Sequence, residues 1–212
     1  MTSPEEVVAL ATYRVPRITE EGTCGKPGDL EPLPFDILRQ VHGIEWVANE
    51  VLSPAANLAV VRLRALRNAM AALAKACAAD WAGVYRVVVA PGSSGERTLV
   101  KEAYVGAPSR AYFPLTPEFA AGSNNSTVGL AGEAVVITDT RKISDDVPYY
   151  SCDGAVRSEL CAPIVDSTGA VIGIIDVEAF QPALFDDVRI GIVLDLCAQL
   201  GDAHMLLHML DQ

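Results

Sequence analysis

Apolar residues first recur along this chain at helical spacing. Between Pro34 and Glu50, Phe35, Leu38, Val41 and Ile44 stand three apart, which predicts a helix over that stretch. Ser53-Pro54 reads as an N-cap followed by proline at the first helical position. The helix it opens runs to about Ala79, with Leu58, Val61, Leu66, Ala69 and Leu73 along its apolar side. The register changes at Asp80. Trp81 to Val89 is dense in β-branched residues and predicts a strand, Pro91 to Gly95 a hairpin loop, and Thr98 to Val105 the partner strand. Val135 to Thr138 and Leu160 to Val165 predict two more strands, and Asp166-Ser167-Thr168-Gly169 a turn into Val171 to Ala179. From about Leu184 the helical period returns, with Ile190, Val193, Leu194, Cys197 and Leu200 on one face. This order predicts an α+β fold, an antiparallel sheet with N- and C-terminal helices packed on one side. Residues 1–52 read as an N-terminal arm and helix and 53–212 as the main domain. The first 32 residues or so, rich in Pro, Gly and Glu, read as an arm draped on the body.

Composition narrows the class. Half of the 212 residues are hydrophobic, ample for a core. A formal charge of -11 argues against a nucleic-acid partner, whose phosphates it would repel. No apolar run approaches the roughly 20 residues that span a bilayer, and the N-terminus does not read as a signal peptide. Five cysteines without regular spacing are no disulfide framework. With no CxxC pair and only three histidines, no metal site is expected. The expectation is a soluble, reduced, cytoplasmic protein.

Candidate chemistry gathers in two places. Tyr149 to Leu160, YYSCDGAVRSEL, sets Cys152 beside Asp153 in a polar, loop-like stretch, with Glu159 a few residues on. A reactive thiol needs partial exposure and groups that tune its thiolate. Asp176 and Glu178 stand at alternate positions of an apolar strand, so both side chains point to one face. Two readings stand for them: a ligand pocket lined by carboxylates, or the solvent side of a half-exposed sheet. Trp81 is core or a substrate wall; Tyr85 and Glu159 are likewise open. Cys77 and Cys197, on apolar helix faces, and Cys161, in a strand, read as packing residues.

The order of motifs resembles a GAF domain over roughly Pro54 to the C-terminus. It is carried by Asp80-Trp-Ala-Gly-Val-Tyr85, Arg157-Ser-Glu-Leu160, Ala162-Pro163, Gly173-Ile-Ile-Asp176 and Phe185-Asp-Asp187. Within that superfamily the chain resembles the free methionine-(R)-sulfoxide reductases. Trp81-Ala82-Gly83-x-Tyr85, Cys152-Asp153 followed by Ser158-Glu159, and Gly173-x-x-Asp176-x-Glu178 match motifs of that branch. The resemblance implies an oxidoreductase that reduces free L-methionine-(R)-sulfoxide without a bound cofactor, using an external, thioredoxin-like thiol reductant. It implies Cys152 as nucleophile, Glu159, Asp176 and Glu178 as the carboxylates that protonate the oxygen and hold the ammonium, and Trp81, Tyr85 and Asp153 as substrate contacts. The alternative is a non-catalytic small-ligand sensor or a dimerisation module.

The chain also departs from that pattern. Two further redox cysteines are typical of the branch, and the matching segments here, near Ser109 and Asn125, hold none. Either another cysteine resolves Cys152, with Cys24 on the arm between Gly22 and Gly25 as the candidate, or an external thiol does, or turnover has been lost. The surplus of apolar residues at the C-terminal end, Leu206, Met209 and Leu210, predicts a homodimer.

Overall fold

The alternation that begins at Trp81 becomes the centre of a six-stranded antiparallel sheet. The computed structural model describes residues 4–19, 24, 28–45, 52–89, 94–144, 149–150 and 152–210, with backbone alone for residue 4 and for 204–210. In chain order the elements are α1 (Pro4–Ala11), β1 (Arg14–Pro16), β2 (Leu30–Pro32), α2 (Ile37–His42), α3 (Pro54–Cys77), β3 (Trp81–Val89), β4 (Arg97–Val105) and β5 (Tyr112–Pro114). There follow α4 (Pro117–Ala120), α5 (Asn124–Ala131), β6 (Val135–Ile137), β7 (Ser158–Val165), β8 (Val171–Ala179) and α6 (Asp187–Leu210). The strands lie in the order β5-β4-β3-β8-β7-β6.

Period-2 alternation splits the sheet into two chemistries. Even-numbered residues of β3 and β7 and odd-numbered residues of β8, among them Ala82, Val84, Leu160, Ala162, Ile175 and Val177, face the long helices. There they meet Leu66, Met70, Leu73 and Cys77 of α3 and Val193 and Cys197 of α6. Each large aliphatic side chain so buried contributes about 1.5–3 kcal/mol. The N- and C-terminal helices of the domain thus share one face, and the architecture is α+β. On the other face of the sheet lie α4 and α5, which the pattern of apolar residues did not suggest: α5 covers β7 and β8, and α4 packs against α5 and the edge strand β5. Ser53 caps α3 as expected, its hydroxyl accepting from the Ala56 amide at 3.1 Å.

Two departures have plain causes. The helix expected from Pro34 to Glu50 is observed over Ile37–His42, capped by Asp36 and stopped by Gly43 at φ 65°, a left-handed conformation that glycine adopts without strain. Residues 46–50, the far end of that expectation, lie outside the described residues. The N-terminal stretch, in turn, carries a helix and a two-stranded hairpin. Val7, Leu10, Ala11 and Val15 pack with Ile37, Leu38, Ala59, Val60 and Leu63, and Glu6 pairs with Arg64 at 2.7 Å. An amphipathic α1 thereby docks this stretch on the first half of α3. The side chains of Leu206, Met209 and Leu210, on which the homodimer expectation rests, are outside the described residues. Among those described, no helix is long and apolar enough to cross a membrane, and no group of three or more His, Cys, Asp and Glu could hold a metal ion.

Candidate active site

Strand register assembles the carboxylates. Glu178 of β8 lies opposite Trp81 of β3 on one side and Glu159 of β7 on the other; the next row places Gly83, Asp176 and Cys161 side by side. Glu159 and Asp176 are buried and Glu178 half-buried on the face away from the long helices. Like charges directly opposite on neighbouring strands repel, and burial adds to the cost of charging them. Burial, then the neighbouring Glu159, pushes Glu178 up to about 8. Burial, with Glu159 and Glu178 beside it, drives Asp176 well above the usual carboxylate range. Burial raises Glu159 as well, opposed by the hydroxyl of Tyr149 and the amide of Asn124. At neutral pH the trio therefore retains protons.

The N-terminus of α5 supplies two amides. Asn124 donates Nδ2 to Glu159 Oε1 at 2.5 Å, and Asn125 donates Nδ2 to Asp176 Oδ2 at 3.2 Å. Tyr149 donates its hydroxyl to the other oxygen of Glu159. Glu159 is thus held as an acceptor, whereas Asn125 Oδ1 and Asp176 Oδ1 are buried with no hydrogen-bond partner among the described residues. Buried orphan acceptors of this kind mark a place where a donor belongs.

The thiols complete the site. Cys24 and Cys152 are separated by 128 positions in sequence, and their sulfurs by 3.0 Å. The Tyr150 hydroxyl lies 2.9 Å from Cys24 Sγ and 3.7 Å from Cys152 Sγ. The hydrogen bond with Cys152, then that with Tyr150 and the Arg110 charge, outweigh burial and bring the Cys24 thiol down to about 6. Cys152 is pushed up, first by its hydrogen bond to Cys24 and then by burial. The pair therefore titrates as a unit that loses its first proton early and its second late. Cys77, Cys161 and Cys197 are buried in the core.

Two cavities meet at Cys152. The inner one, about 20 Å³, is lined by Tyr85, Asn125, Tyr150, Glu159, Asp176 and Glu178 and has room for about one water molecule. The outer one, about 300 Å³, is lined by Trp81, Pro108, Asp153 and Phe180 and roofed by Pro16, Gly28 and Leu30 of the N-terminal stretch. Cys152, Ser109 and Glu178 belong to both. Trp81 thus walls the outer cavity rather than the inner one. Its ring lies across Gly83, where a methyl group would come within 2.2 Å of it, and against Gly106, which has φ +108°. Its indole nitrogen donates to Ala107 O at 2.9 Å. Tyr85 faces the inner cavity, its hydroxyl directed at Arg110 O, 3.4 Å away. Asp153 is tied into a turn, accepting from the Ala155 amide at 2.8 Å.

Several residues escaped the sequence reading. Asn124, Asn125, Tyr149, Tyr150, Arg110 and Lys101 all touch or flank the site. Lys101 is fully buried, its ammonium 2.8 Å from both Ser109 O and Ser109 Oγ and over the Tyr104 ring at 4.2 Å. Burial lowers it to about 7. A β-bulge at Val84/Tyr85 sets it opposite Tyr85. A lone lysine in the apolar run TLVKEAYV was the one signal that could have found it.

The chain belongs to the GAF domain family, whose model matches residues 62–203. No curated protein matches it. Among solved structures it is similar to a type II free methionine-R-sulfoxide reductase from Thermoplasma acidophilum, at 20% identity and a TM-score of 0.52, covering 66% of this chain and 89% of that one. It is similar also to the free methionine-R-sulfoxide reductase of Neisseria meningitidis in complex with its substrate, at 25% identity and a TM-score of 0.50, covering 65% and 76%. The GAF domain region of a putative membrane protein from Geobacter sulfurreducens aligns at 16% identity with a TM-score of 0.55, covering 71% and 94%. The fold is one that reductases and other GAF domains share.

Proposed function

We propose that this chain reduces free L-methionine-(R)-sulfoxide to methionine, with Cys152 as the attacking thiol and Cys24 as the resolving one. The observation that carries the reading is the 3.0 Å separation of those two sulfurs at the wall of a carboxylate-lined cavity. The outer cavity suits the rest of the substrate: Trp81 and Phe180 offer an apolar surface to the S-methyl end, and Glu178 stands beside Cys152. In the first step the Cys152 thiolate takes the sulfoxide oxygen, a neutral Asp176 or Glu178 supplies a proton, and methionine leaves Cys152 as a sulfenic acid. In the second, Cys24 attacks that sulfur, the S–O bond breaks and water departs, leaving a Cys24–Cys152 disulfide. An external dithiol of the thioredoxin kind, in a reducing compartment such as the cytoplasm, then returns both thiols. The resemblance to enzymes that keep their own resolving cysteine supports this division of labour, because the N-terminal stretch brings a thiol to the Arg110 backbone, beside the position left empty near Ser109.

The test is single turnover. Reduced protein mixed with free methionine sulfoxide should yield one methionine for every two thiols lost, with Cys24 and Cys152 linked in a non-reducing peptide map. Cys152→Ser should yield none, and a methionine-sulfoxide peptide should react far more slowly. Shielding of Cys152 from alkylation with no oxidation would point instead to a ligand sensor.

A further inference from the structure

Among the described residues Tyr150 is the one hydroxyl that reaches both sulfurs, and the proposed reaction gives it no role. Its ring packs edge-on against Phe113, with centroids 6.0 Å apart, and lies 6.5 Å from the ring of Phe119. Into the same cluster comes Arg110, which is 5% exposed. Its guanidinium carbon sits 4.7 Å from the Phe119 ring, 5.3 Å from Tyr112, 5.4 Å from Tyr150 and 5.6 Å from Phe113. Its Nε donates to Tyr112 O at 2.7 Å. A permanent cation held among four rings fixes the Tyr150 side chain from behind and adds positive potential at the sulfurs.

We infer that Tyr150 is a catalytic residue of the thiol pair: its hydroxyl holds the negative charge on Cys24, so that Cys24 attacks oxidised Cys152 as a thiolate, and Arg110 is the positioning residue behind it. The asymmetry of the two sulfur distances, 2.9 Å against 3.7 Å, selects Cys24. With the charge there, the shared proton rests on Cys152. It can cross the 3.0 Å gap to Cys24 when Cys152 is called on to attack the sulfoxide. After that attack Cys24 returns to the thiolate, and the leaving oxygen of Cys152 takes its protons as water. Tyr150 keeps its own proton throughout, since burial and the adjacent sulfurs raise its hydroxyl far above the usual phenol range. The other ionisable groups whose charges act on the pair are Lys101, Tyr85 and Glu178. Among the described residues none of these hydrogen-bonds to either sulfur, whereas the Tyr150 hydroxyl reaches both.

The inference rests on Cys24 and Cys152 acting as a redox pair, but its test needs no sulfoxide. Fully reduced protein is treated with iodoacetamide across pH 5 to 9, and labelling of each cysteine is followed by mass spectrometry. Wild type should label first at Cys24, with a midpoint near pH 6. Tyr150→Phe keeps the ring in its cluster and should move that midpoint up by a unit or more, lowering Cys24 labelling at pH 6.5 roughly tenfold. Arg110→Gln should shift it in the same direction, and Arg110→Lys should restore most of the wild-type profile. Melting curves recorded alongside confirm that each variant is folded; were Tyr150→Phe unfolded, the Arg110→Gln and Arg110→Lys pair decides. A Tyr150→Phe profile that overlays wild type, or first labelling at Cys152 in wild type, overturns the inference. Shifted profiles in a chain that leaves methionine sulfoxide untouched would remove the proposed reaction and leave Tyr150 its role at the sulfurs.

Discussion

Asn125 donates to Asp176 across 3.2 Å, and the Oδ1 atoms left over, one on each residue, are both buried without a partner among the described residues. A carboxyl gripped on one oxygen and open on the other is set to meet a donor arriving from the cavity, the ammonium or the protonated oxygen of a substrate. Asp176→Asn preserves shape and removes the acid. We expect kcat/KM on free methionine sulfoxide to fall at least about tenfold, roughly 1.4 kcal/mol of barrier. Wild-type kinetics in this variant would take Asp176 out of the reaction.

The pH profile should be a bell. The rising limb follows formation of the first thiolate of the pair, with Cys24 held down to about 6, and the falling limb follows loss of the proton from Glu178, pushed up to about 8. Activity should therefore peak near neutrality. Cys24→Ser should move the rising limb upward, because Cys152 then loses its thiol partner. Initial rates in overlapping buffers at constant ionic strength give both limbs.

Stability should carry the same signature with its own sign. Glu178 holds its proton more tightly folded than unfolded, so its contribution is present at low pH and is lost as pH rises from the ordinary carboxylate range through about 8. Cys24, lowered to about 6, acts in the opposite sense over an overlapping window. The difference between wild type and Glu178→Gln isolates the carboxyl. The melting temperature of the variant should gain on wild type as pH rises from 5 to 8.5, and parallel curves would contradict the assignment.

Gly83 should tolerate nothing larger. A Cβ there would stand 2.2 Å from one Trp81 ring carbon and 2.8 Å from another, and the indole is hemmed in on its other side by Gly106. Gly83→Ala should cost about 1–3 kcal/mol by overpacking, read as a lowered denaturant midpoint. It should also shift the tryptophan emission of the folded state.

Asp176 and Glu178 were legible as a pair on one face because a strand has a strict period, whereas Trp81, Tyr85 and Glu159 stood out through the motif resemblance and their roles were open from alternation alone. Once β3, β7 and β8 are recognised, alternation alone decides which side chains share a face, and register brings them into adjacent rows. The amides of Asn124 and Asn125 were not legible. The helix that aims them is eight residues long, NNSTVGLA, with too few apolar positions to declare a face. Lys101 was hidden by a bulge, since a one-residue slip changes which face a strand residue occupies. The proximity of Cys24 was legible only as reach: a cysteine flanked by glycines can travel, but its destination depends on α1 and β1 docking against α3. The helix expected over Pro34 to Glu50 failed at Gly43, where a periodic run of apolar residues continued past a residue that ends the helix.

The long sequence interval between Cys24 and Cys152 has a thermodynamic reading of its own. A bond between them would close a loop of 128 residues, most of the chain. Tethering so long a segment removes a large share of the unfolded chain's freedom, about 5 kcal/mol on the loop-entropy estimate. An oxidised molecule would then withstand heat and denaturant far better than a reduced one. The cycle also runs in reverse, for whatever the bond adds to folding, folding adds to the bond. A reductant would find this disulfide harder to open in the native protein than in the denatured chain.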